Sequence, residues 1–172
     1  MLRYTAKKYS VAVSFGYYEL CGEAIYSSYM FIGKNGEIVN NFRRVSKGWK
    51  EYDITDEHYK EGDGFKTFTY MGKRIALAVC GDLWYEENIE QINKEKFDFL
   101  LYPVYVTYNT EMWRTKLVSE YAEQAKKIPR PVFLVNSICD ADNTRGGCYA
   151  FLNGKTVCEV PMGQDGYLLV RV

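Results

Sequence analysis

Three short apolar runs in the middle of the chain are separated by two segments of helical character, and this order constrains the fold more than any other feature. The apolar runs cover 73–80, 97–103 and 131–136, and the helical segments are 86–96 and 111–127. The second helical segment carries apolar residues four positions apart and is ended by Pro129. Buried strands that alternate with helices are typical of layered α/β folds. We therefore predict an α/β domain.

Turn signals and β-branched residues predict further elements on both sides of this region. A helix is expected at 2–9 and a long polar loop at 46–64, with further strands at 11–15, 25–32, 37–44, 66–70, 148–153, 155–160 and 167–172. The pairs Asn35-Gly36 and Met71-Gly72 suit hairpin turns, because glycine adopts a positive φ without strain. We therefore expect mixed strand directions, and at 172 residues we treat 1–172 as one domain.

Charge and histidine content exclude several classes of function. The chain has 22 Lys and Arg against 22 Asp and Glu, so its net charge is zero. Nucleic acids and anionic membranes bind basic surfaces, and neither is expected as a partner. No apolar run approaches the length of a membrane span. Because His58 is the single histidine, zinc sites built on two or three histidines are excluded.

The five cysteines indicate a reducing compartment. Cys21, Cys80, Cys139, Cys148 and Cys158 are odd in number, form no Cys-x-x-Cys pair and follow no signal peptide. Since stable disulfides are rare in the cytoplasm, we expect a cytoplasmic protein with free thiols. A redox or thiol-sensor role is an alternative, but the sequence offers no resolving pair for it.

One of these thiols, Cys80, lies at the end of a predicted buried strand. Gly81 follows at once, and a predicted helix begins a few residues later. A tight turn between strand and helix can lift a nucleophile out of a sheet and place backbone N–H groups near an oxyanion. The alternative is a packing thiol, since free cysteine is among the most buried residue types. Asp82 is expected to cap or tie down this turn through backbone N–H bonds.

The segments around Cys80 resemble the carbon–nitrogen hydrolase (nitrilase) superfamily. In that family a strand ends in Cys-x-Asp, a helix follows and the next strand ends in proline, as 75–84 and 97–103 do here. The resemblance continues through 14–19, 26–36, 42–44, 120–125, 135–136 and 146–148. Residues 14–19 are similar to the family's Gly-x-x-Glu, 26–36 to its tyrosine-led strand and turn, and 42–44 to its Tyr-Arg-Lys. Residues 120–125 are similar to its helix before a strand that ends in Asn, 135–136 to the end of that strand, and 146–148 to its Gly-Gly-Ser.

The resemblance implies a layered α-β-β-α sandwich and hydrolysis of a non-peptide C–N bond in a small amide, carbamoyl compound or nitrile. In the family a cysteine attacks to form a thioester, one glutamate is the general base, a lysine stabilises the oxyanion and a second glutamate supports them. No metal or organic cofactor is used, and the members associate into dimers. By this resemblance Cys80 is the nucleophile, and Trp84 and Tyr105 are candidate substrate-binding residues. A packing role is the alternative for Trp84.

The family's lysine and second glutamate fall on a polar segment with several candidates. Arg44 occupies the position of the lysine in Tyr-Arg-Lys, and the second glutamate falls on Glu51, seven residues further on. Arginine stays charged and can hold an oxyanion, but it does not readily give up a proton. Lys47 and Lys50 lie in the same loop and could supply the amine instead. A solvated loop cation is the alternative for each of the three.

The family's general-base glutamate has no counterpart in this sequence. The family carries it in a Pro-Glu motif at the end of an early strand, whereas this chain contains no such motif and starts in what resembles the following helix. Glu19 matches a later glutamate of the family that is not the base. The expected fold therefore lacks the N-terminal strand-helix portion. The chain is expected to be either a fragment of an active hydrolase or a catalytically silent relative that acts in binding or assembly.

A missing inner strand predicts self-association. Its neighbour would be left with unpaired N–H and C=O groups, which invite pairing with another chain. We expect the 172-residue chain to form a homodimer or a larger homo-oligomer. Light scattering at working concentrations should give at least twice the mass of one chain, and a clean monomer would contradict this expectation.

Overall fold

The computed structural model describes residues 1–50, 55–140 and 144–172. The N-terminal part of the chain forms the first of two main sheets. Helix α1 (Leu2–Tyr9) precedes the antiparallel strands β1 (Val13–Cys21), β2 (Ala24–Ile32) and β3 (Ile38–Arg43), and the short β4 (Tyr59–Lys60) runs parallel to β2. Gly36, at φ +83°, lies in the predicted turn between β2 and β3. β1 extends well beyond the predicted 11–15, because its pairing with β2 continues to Cys21 opposite Ala24.

The second sheet contains the alternating strands and helices on which the fold prediction rests. Its strands are β5 (Phe68–Tyr70), β6 (Lys73–Leu77), β7 (Phe99–Val104), β8 (Val132–Asn136), β11 (Cys148–Leu152) and β12 (Lys155–Val160). The short strands β9 (Ile138–Cys139) and β10 (Thr144–Arg145) pair with each other outside this sheet. Within the described ranges the order is β12-β11-β8-β7-β6-β5. Strands β6, β7 and β8 are parallel, and the other pairs are antiparallel. The predicted α/β fold with mixed strand directions is confirmed.

Helices cover one face of the second sheet. Helix α2 (Glu86–Lys94) and helix α4 (Val118–Lys126) bury Ile92 and Tyr121 in one cluster with Leu134 of β8. The predicted helix at 111–127 is not uniform, because α3 (Thr110–Met112) is joined to α4 through a π-helical turn, Trp113–Leu117. No helix in the described ranges is both long and apolar enough to cross a lipid bilayer.

The other face of the second sheet packs against the first sheet. Phe31 of β2 shares a buried cluster with Ile75 and Phe99, and Tyr29 and Phe42 share a second one with Leu77. The rings of Phe31 and Phe68 lie 5.0 Å apart. Helices, sheet and sheet therefore form successive layers, and the carboxyl ends of three parallel strands lie along one edge.

Residues 167–172 do not form the strand that their alternating apolar residues predict. No described strand pairs with this segment, and Tyr167 and Leu169 are 80% and 84% exposed. A strand requires a hydrogen-bonded neighbour, so favourable alternation is not sufficient. The predicted loop at 46–64 is largely irregular apart from β4, and its residues 51–54 lie outside the described ranges.

A partly buried charge network links β1 to β3 across β2. Glu19 accepts two hydrogen bonds from Arg43, at 2.6 and 3.0 Å, and one each from Ser28 and Asn41. The Arg43 guanidinium lies 3.8 Å from the centre of the Tyr26 ring. The hydrogen bonds from Arg43 lower the pKa of Glu19 to about 2. The carboxylate therefore contributes to the cohesion of this sheet.

Replacing Glu19 by Gln should make unfolding less sensitive to acid. The native pKa of about 2 lies below the ordinary 4.5, so the ionised carboxylate stabilises the fold above that value and loses this effect as the pH falls toward 2. We expect E19Q to lower the free energy of unfolding at neutral pH by about 1 kcal/mol, since the pair is partly exposed to solvent. The decline of that free energy between about pH 4.5 and 2 should flatten.

Urea unfolding at each pH measures both effects of this substitution. Glu23→Gln is the control, because Glu23 is an exposed carboxylate in the turn after β1. A pH profile of E19Q that runs parallel to that of the wild type would contradict the assigned role of the network.

Candidate active site

Cys80 lies just beyond the carboxyl end of β6, where a 3₁₀ helix, Cys80–Trp84, begins. Its φ is +47°, in the left-handed region. This conformation costs a non-glycine residue roughly 1–2 kcal/mol, and such strain concentrates at functional sites. The side chain is half-buried and packs against the main core cluster. The predicted tight turn between strand and helix is present, and its first residue is a strained cysteine.

The carboxylate of Asp82 ties this turn to the loop that follows β3. Asp82 is fully buried, and its Oδ2 accepts the Val79 N–H at 2.8 Å. Its Oδ1 accepts the N–H groups of Val45 and Ser46 at 3.1 and 2.7 Å. Burial raises the pKa of Asp82, and the hydrogen bonds from the backbone oppose that increase. The prediction that Asp82 ties down the turn is confirmed, and the structure adds the link to residues 45–46.

This link places the guanidinium of Arg44 against Gly81, the residue after Cys80. Arg44 is 7% exposed, and its Nε donates to Ser46 Oγ at 2.7 Å. A Cβ at position 81 would overlap Arg44 Nη2, so a side chain there would force the guanidinium to move. A buried positive charge therefore lies one residue from the candidate nucleophile.

The other described candidates for the catalytic cation, Lys47 and Lys50, are not shown in contact with the turn. Lys50 Nζ is 2.7 Å from Glu61 Oε1 and donates to the Tyr59 carbonyl at 3.2 Å. Lys47 is exposed. Glu51, the candidate second glutamate, lies outside the described residues. Of the three candidate cations, Arg44 is the one that the structure brings to the turn.

Aromatic side chains surround the turn. Trp84, at the end of the 3₁₀ helix, is 42% exposed, and its ring meets that of Tyr121 edge-on at 5.2 Å between centroids. Tyr102 of β7 is buried, and its hydroxyl donates to the Cys80 carbonyl at 2.6 Å. Tyr105, just after β7, is partly exposed. Both candidate substrate-binding residues, Trp84 and Tyr105, therefore follow the carboxyl ends of adjacent parallel strands.

Asn136, at the end of β8, joins two loops at the same edge. Its Oδ1 accepts the Val106 N–H at 3.1 Å, and its Nδ2 donates to the Gly146 and Val106 carbonyls at 3.1 and 3.3 Å. The buried side-chain amide thereby uses both its donors and its acceptor. The loops after β7 and β8 are fixed to each other by one side chain.

Two partners at the turn are not evident from the sequence, Ser46 and Tyr102. Ser46 is a short polar residue in a polar loop, and nothing in its neighbours indicates that it accepts from Arg44. Tyr102 is a tyrosine in an apolar strand, which signals a hydroxyl that needs a partner when buried. That signal identifies the residue but not the carbonyl to which it donates.

An open cavity of about 650 Å³ lies between α3 and the segment that follows β12. Its walls include Trp113, Arg114, Tyr149 and Met162, and neither Cys80 nor Arg44 lines it. Across residues 1–50, 55–140 and 144–172, no three His, Cys, Asp or Glu side chains come together in a group that could hold a metal ion. The candidate site is therefore identified by its strained cysteine and buried charges.

Comparison with known proteins decides the family. A carbon-nitrogen hydrolase family model matches residues 1–172. The chain belongs to this family. Among solved structures, a carbon-nitrogen hydrolase from Helicobacter pylori has a TM-score of 0.74 at 18% identity, covering 93% of this chain and 61% of that one. The nitrilase-like fold predicted from the sequence is confirmed.

Two further proteins are similar to this chain. A variant of the amidase from Nesterenkonia sp. AN1 carries the acetamide moiety of fluoroacetamide, added covalently at its active-site cysteine. It has a TM-score of 0.74 at 15% identity and covers 94% of this chain and 61% of its own. Citrullinase from Francisella tularensis is 25% identical over 103 residues, which are 57% of this chain and 35% of that protein. The chain thus spans about three fifths of these solved structures.

Replacing Asp82 by Asn should loosen the turn from the loop that carries Arg44. An amide has the size of the carboxylate, but its NH₂ group is a donor and would face backbone N–H groups that also donate. We expect D82N to lower the free energy of unfolding by about 2–4 kcal/mol, because buried donors lose their charged acceptor. Urea unfolding measures this cost. Asp98→Asn is a matched control, since exposed Asp98 also accepts a backbone N–H, from Arg74 at 2.7 Å. Equal costs for the two variants would contradict the assigned role of Asp82.

Proposed function

We propose that this chain supplies the nucleophile and the oxyanion-stabilising cation of a hydrolase acting on non-peptide C–N bonds. Cys80 is the nucleophile and Arg44 the cation in this proposal. The observation that carries it is the buried guanidinium against Gly81, one residue from a cysteine in a strained turn. Family membership supports the reaction class.

In the proposed reaction the Cys80 thiolate attacks the carbonyl carbon of the substrate. A C–S bond forms and the carbonyl electron pair moves to oxygen, where the guanidinium of Arg44 donates hydrogen bonds to the oxyanion. Collapse of this intermediate restores the carbonyl, breaks the C–N bond and releases the amine, which takes up the proton that the thiol gave to the base. Water then hydrolyses the thioester, releasing the acid and the Cys80 thiol.

An arginine at this position divides the work of the site differently from a lysine. The guanidinium remains charged at every working pH, so Arg44 can stabilise negative charge but cannot transfer a proton. The proton of the Cys80 thiol must therefore go to a carboxylate or another base. Glu51 is a candidate supporting carboxylate by sequence, and Lys47 is the alternative source of an amine.

The relatives support a small substrate. One is an amidase with an acetamide moiety on its active-site cysteine, and another is a citrullinase. We propose a small amide or carbamoyl compound for this chain, with the partly exposed rings of Trp84 and Tyr105 beside it. A dimer or larger homo-oligomer is part of the same proposal.

Selective alkylation of Cys80 tests the nucleophile directly. Thiolate character determines the reaction rate with iodoacetamide, so we expect Cys80 to label at least about tenfold faster than Cys21, Cys139, Cys148 and Cys158. Peptide mass spectrometry resolves the five sites. Arg44→Met should slow the labelling of Cys80 alone, whereas Arg44→Lys should retain part of the rate, because it keeps a positive charge.

Substrate panels test the reaction. Cys80→Ala should abolish the hydrolysis of amides, carbamoyl compounds and nitriles while circular dichroism shows an intact fold. Cys158→Ala, at a half-buried thiol of β12, should leave turnover unchanged. Uniform slow labelling of all five thiols would refute the proposal. Fast labelling of Cys80 without turnover would favour the catalytically silent relative.

A further inference from the structure

The peptide segment around Cys80 is anchored on both sides. On the N-terminal side, the Val79 N–H donates to Asp82 Oδ2 at 2.8 Å. On the C-terminal side, the Cys80 carbonyl accepts the hydroxyl of Tyr102 at 2.6 Å. Between these two anchors lies the left-handed φ of +47°. Because a non-glycine residue leaves this region unless its surroundings hold it, the two anchors help to maintain the turn, together with the hydrogen bond from the Asp82 N–H to the Val79 carbonyl at 3.0 Å.

The angle φ of Cys80 sets the direction in which its side chain leaves the backbone. It describes rotation about the N–Cα bond, and this rotation carries the side chain and the carbonyl carbon together. With Val79 fixed by Asp82, a carbonyl held in place therefore also fixes the direction of the Cα–Cβ bond, from which the rotamers of the thiol extend. A carbonyl released from its partner would let both swing toward the usual negative φ.

The Tyr102 hydroxyl holds the Cys80 carbonyl, and its burial keeps the phenol neutral. Tyr102 lies on β7, one residue beyond the Leu77–Leu101 pair at the end of β6, and is 1% exposed. Burial raises its pKa well above the ordinary value, and ionisation of Cys80 and Asp82 would raise it further. The phenol therefore remains a hydrogen-bond donor across the working pH range.

We propose that Tyr102 is a positioning residue for Cys80, whose hydroxyl holds the backbone carbonyl of the nucleophile and so keeps the thiol in its reactive orientation. The inference rests on the proposed role of Cys80. It adds a residue that takes part in no bond-making or bond-breaking step of the proposed reaction. A phenylalanine would fill the same place in the core without holding the carbonyl. The hydroxyl is therefore the group that separates positioning from packing.

A second buried tyrosine provides a matched comparison. Tyr149 of β11 is 2% exposed, and its hydroxyl accepts from Trp113 Nε1 and from the Met162 N–H, both at 2.8 Å. It belongs to the same main core cluster as Tyr102 but lies by the separate cavity. Loss of its hydroxyl removes at least as many buried hydrogen bonds as loss of the Tyr102 hydroxyl, and none of them involves Cys80.

The test compares Tyr102→Phe with Tyr149→Phe. The readouts are the rate of alkylation of each cysteine by iodoacetamide as a function of pH, and the midpoint of urea unfolding. We expect Y102F to slow Cys80 alkylation about tenfold at neutral pH, the size of effect that one lost hydrogen bond can produce. The pH profile of Cys80 should also change, while the other four thiols keep their rates. Y149F should lower stability and leave Cys80 unchanged.

Two results would overturn the proposal. One is a wild-type alkylation rate and pH profile for Cys80 in Y102F, and the other is an equal slowing in Y149F. Failure of the proposed function gives a different result, because iodoacetamide would then label all five thiols of the wild-type protein at the same rate. Selective labelling of Cys80 in the wild type that persists in Y102F refutes the role of Tyr102 alone.

A variant that keeps the hydroxyl covers the case in which Y102F does not fold. Fluorotyrosine introduced site-specifically at position 102 retains the volume and strengthens the donor, because fluorine lowers the pKa of a phenol. It should alter the pH profile of Cys80 alkylation, whereas fluorotyrosine at position 149 should not. An unchanged profile with fluorotyrosine at position 102 would refute the proposal.

Discussion

The buried carboxylate of Asp82 is the interaction on which the site depends. It accepts backbone N–H groups from both sides of the site, from Val79 before the turn and from Val45 and Ser46 in the loop after β3. A charged acceptor makes stronger hydrogen bonds than a neutral one, especially where water is excluded. Through these bonds one side chain joins the two sheets at the point where the candidate nucleophile and the candidate cation meet.

The layers explain why these groups meet at that place. Parallel strands connected by helices end at a common edge, and Cys80, Tyr105 and Asn136 follow the ends of β6, β7 and β8. Irregular backbone at this edge is fixed by buried side chains, Asp82 below the turn and Asn136 between the neighbouring loops. Sites at the carboxyl ends of parallel strands are a general property of such sheets. Here the edge also receives Arg44 from the first sheet.

Much of this arrangement follows from local patterns in the sequence. Helix 86–96, the apolar strands at 97–103 and 131–136 and the Asn-Gly hairpin lie within a few residues of their predicted positions, because periodicity and turn residues act locally. The position of Cys80 at a tight turn and the contacts of Asp82 follow from their order along the chain. The strand prediction for 167–172 is wrong, since a strand needs a pairing partner and the local alternation of apolar residues does not show whether one is present. The choice of Arg44 over Lys47 as the cation at the turn, and the partners Ser46 and Tyr102, depend on contacts between residues distant in sequence, which no local pattern contains.

The close fit of Arg44 against Gly81 has a consequence for how this site can change during evolution. A methyl group at position 81 would overlap the guanidinium where it now lies, so a larger residue there requires the guanidinium to move. The two positions are therefore coupled. Within the family, a residue larger than glycine after the cysteine should accompany either a different position of the guanidinium or a different residue in the place of Arg44.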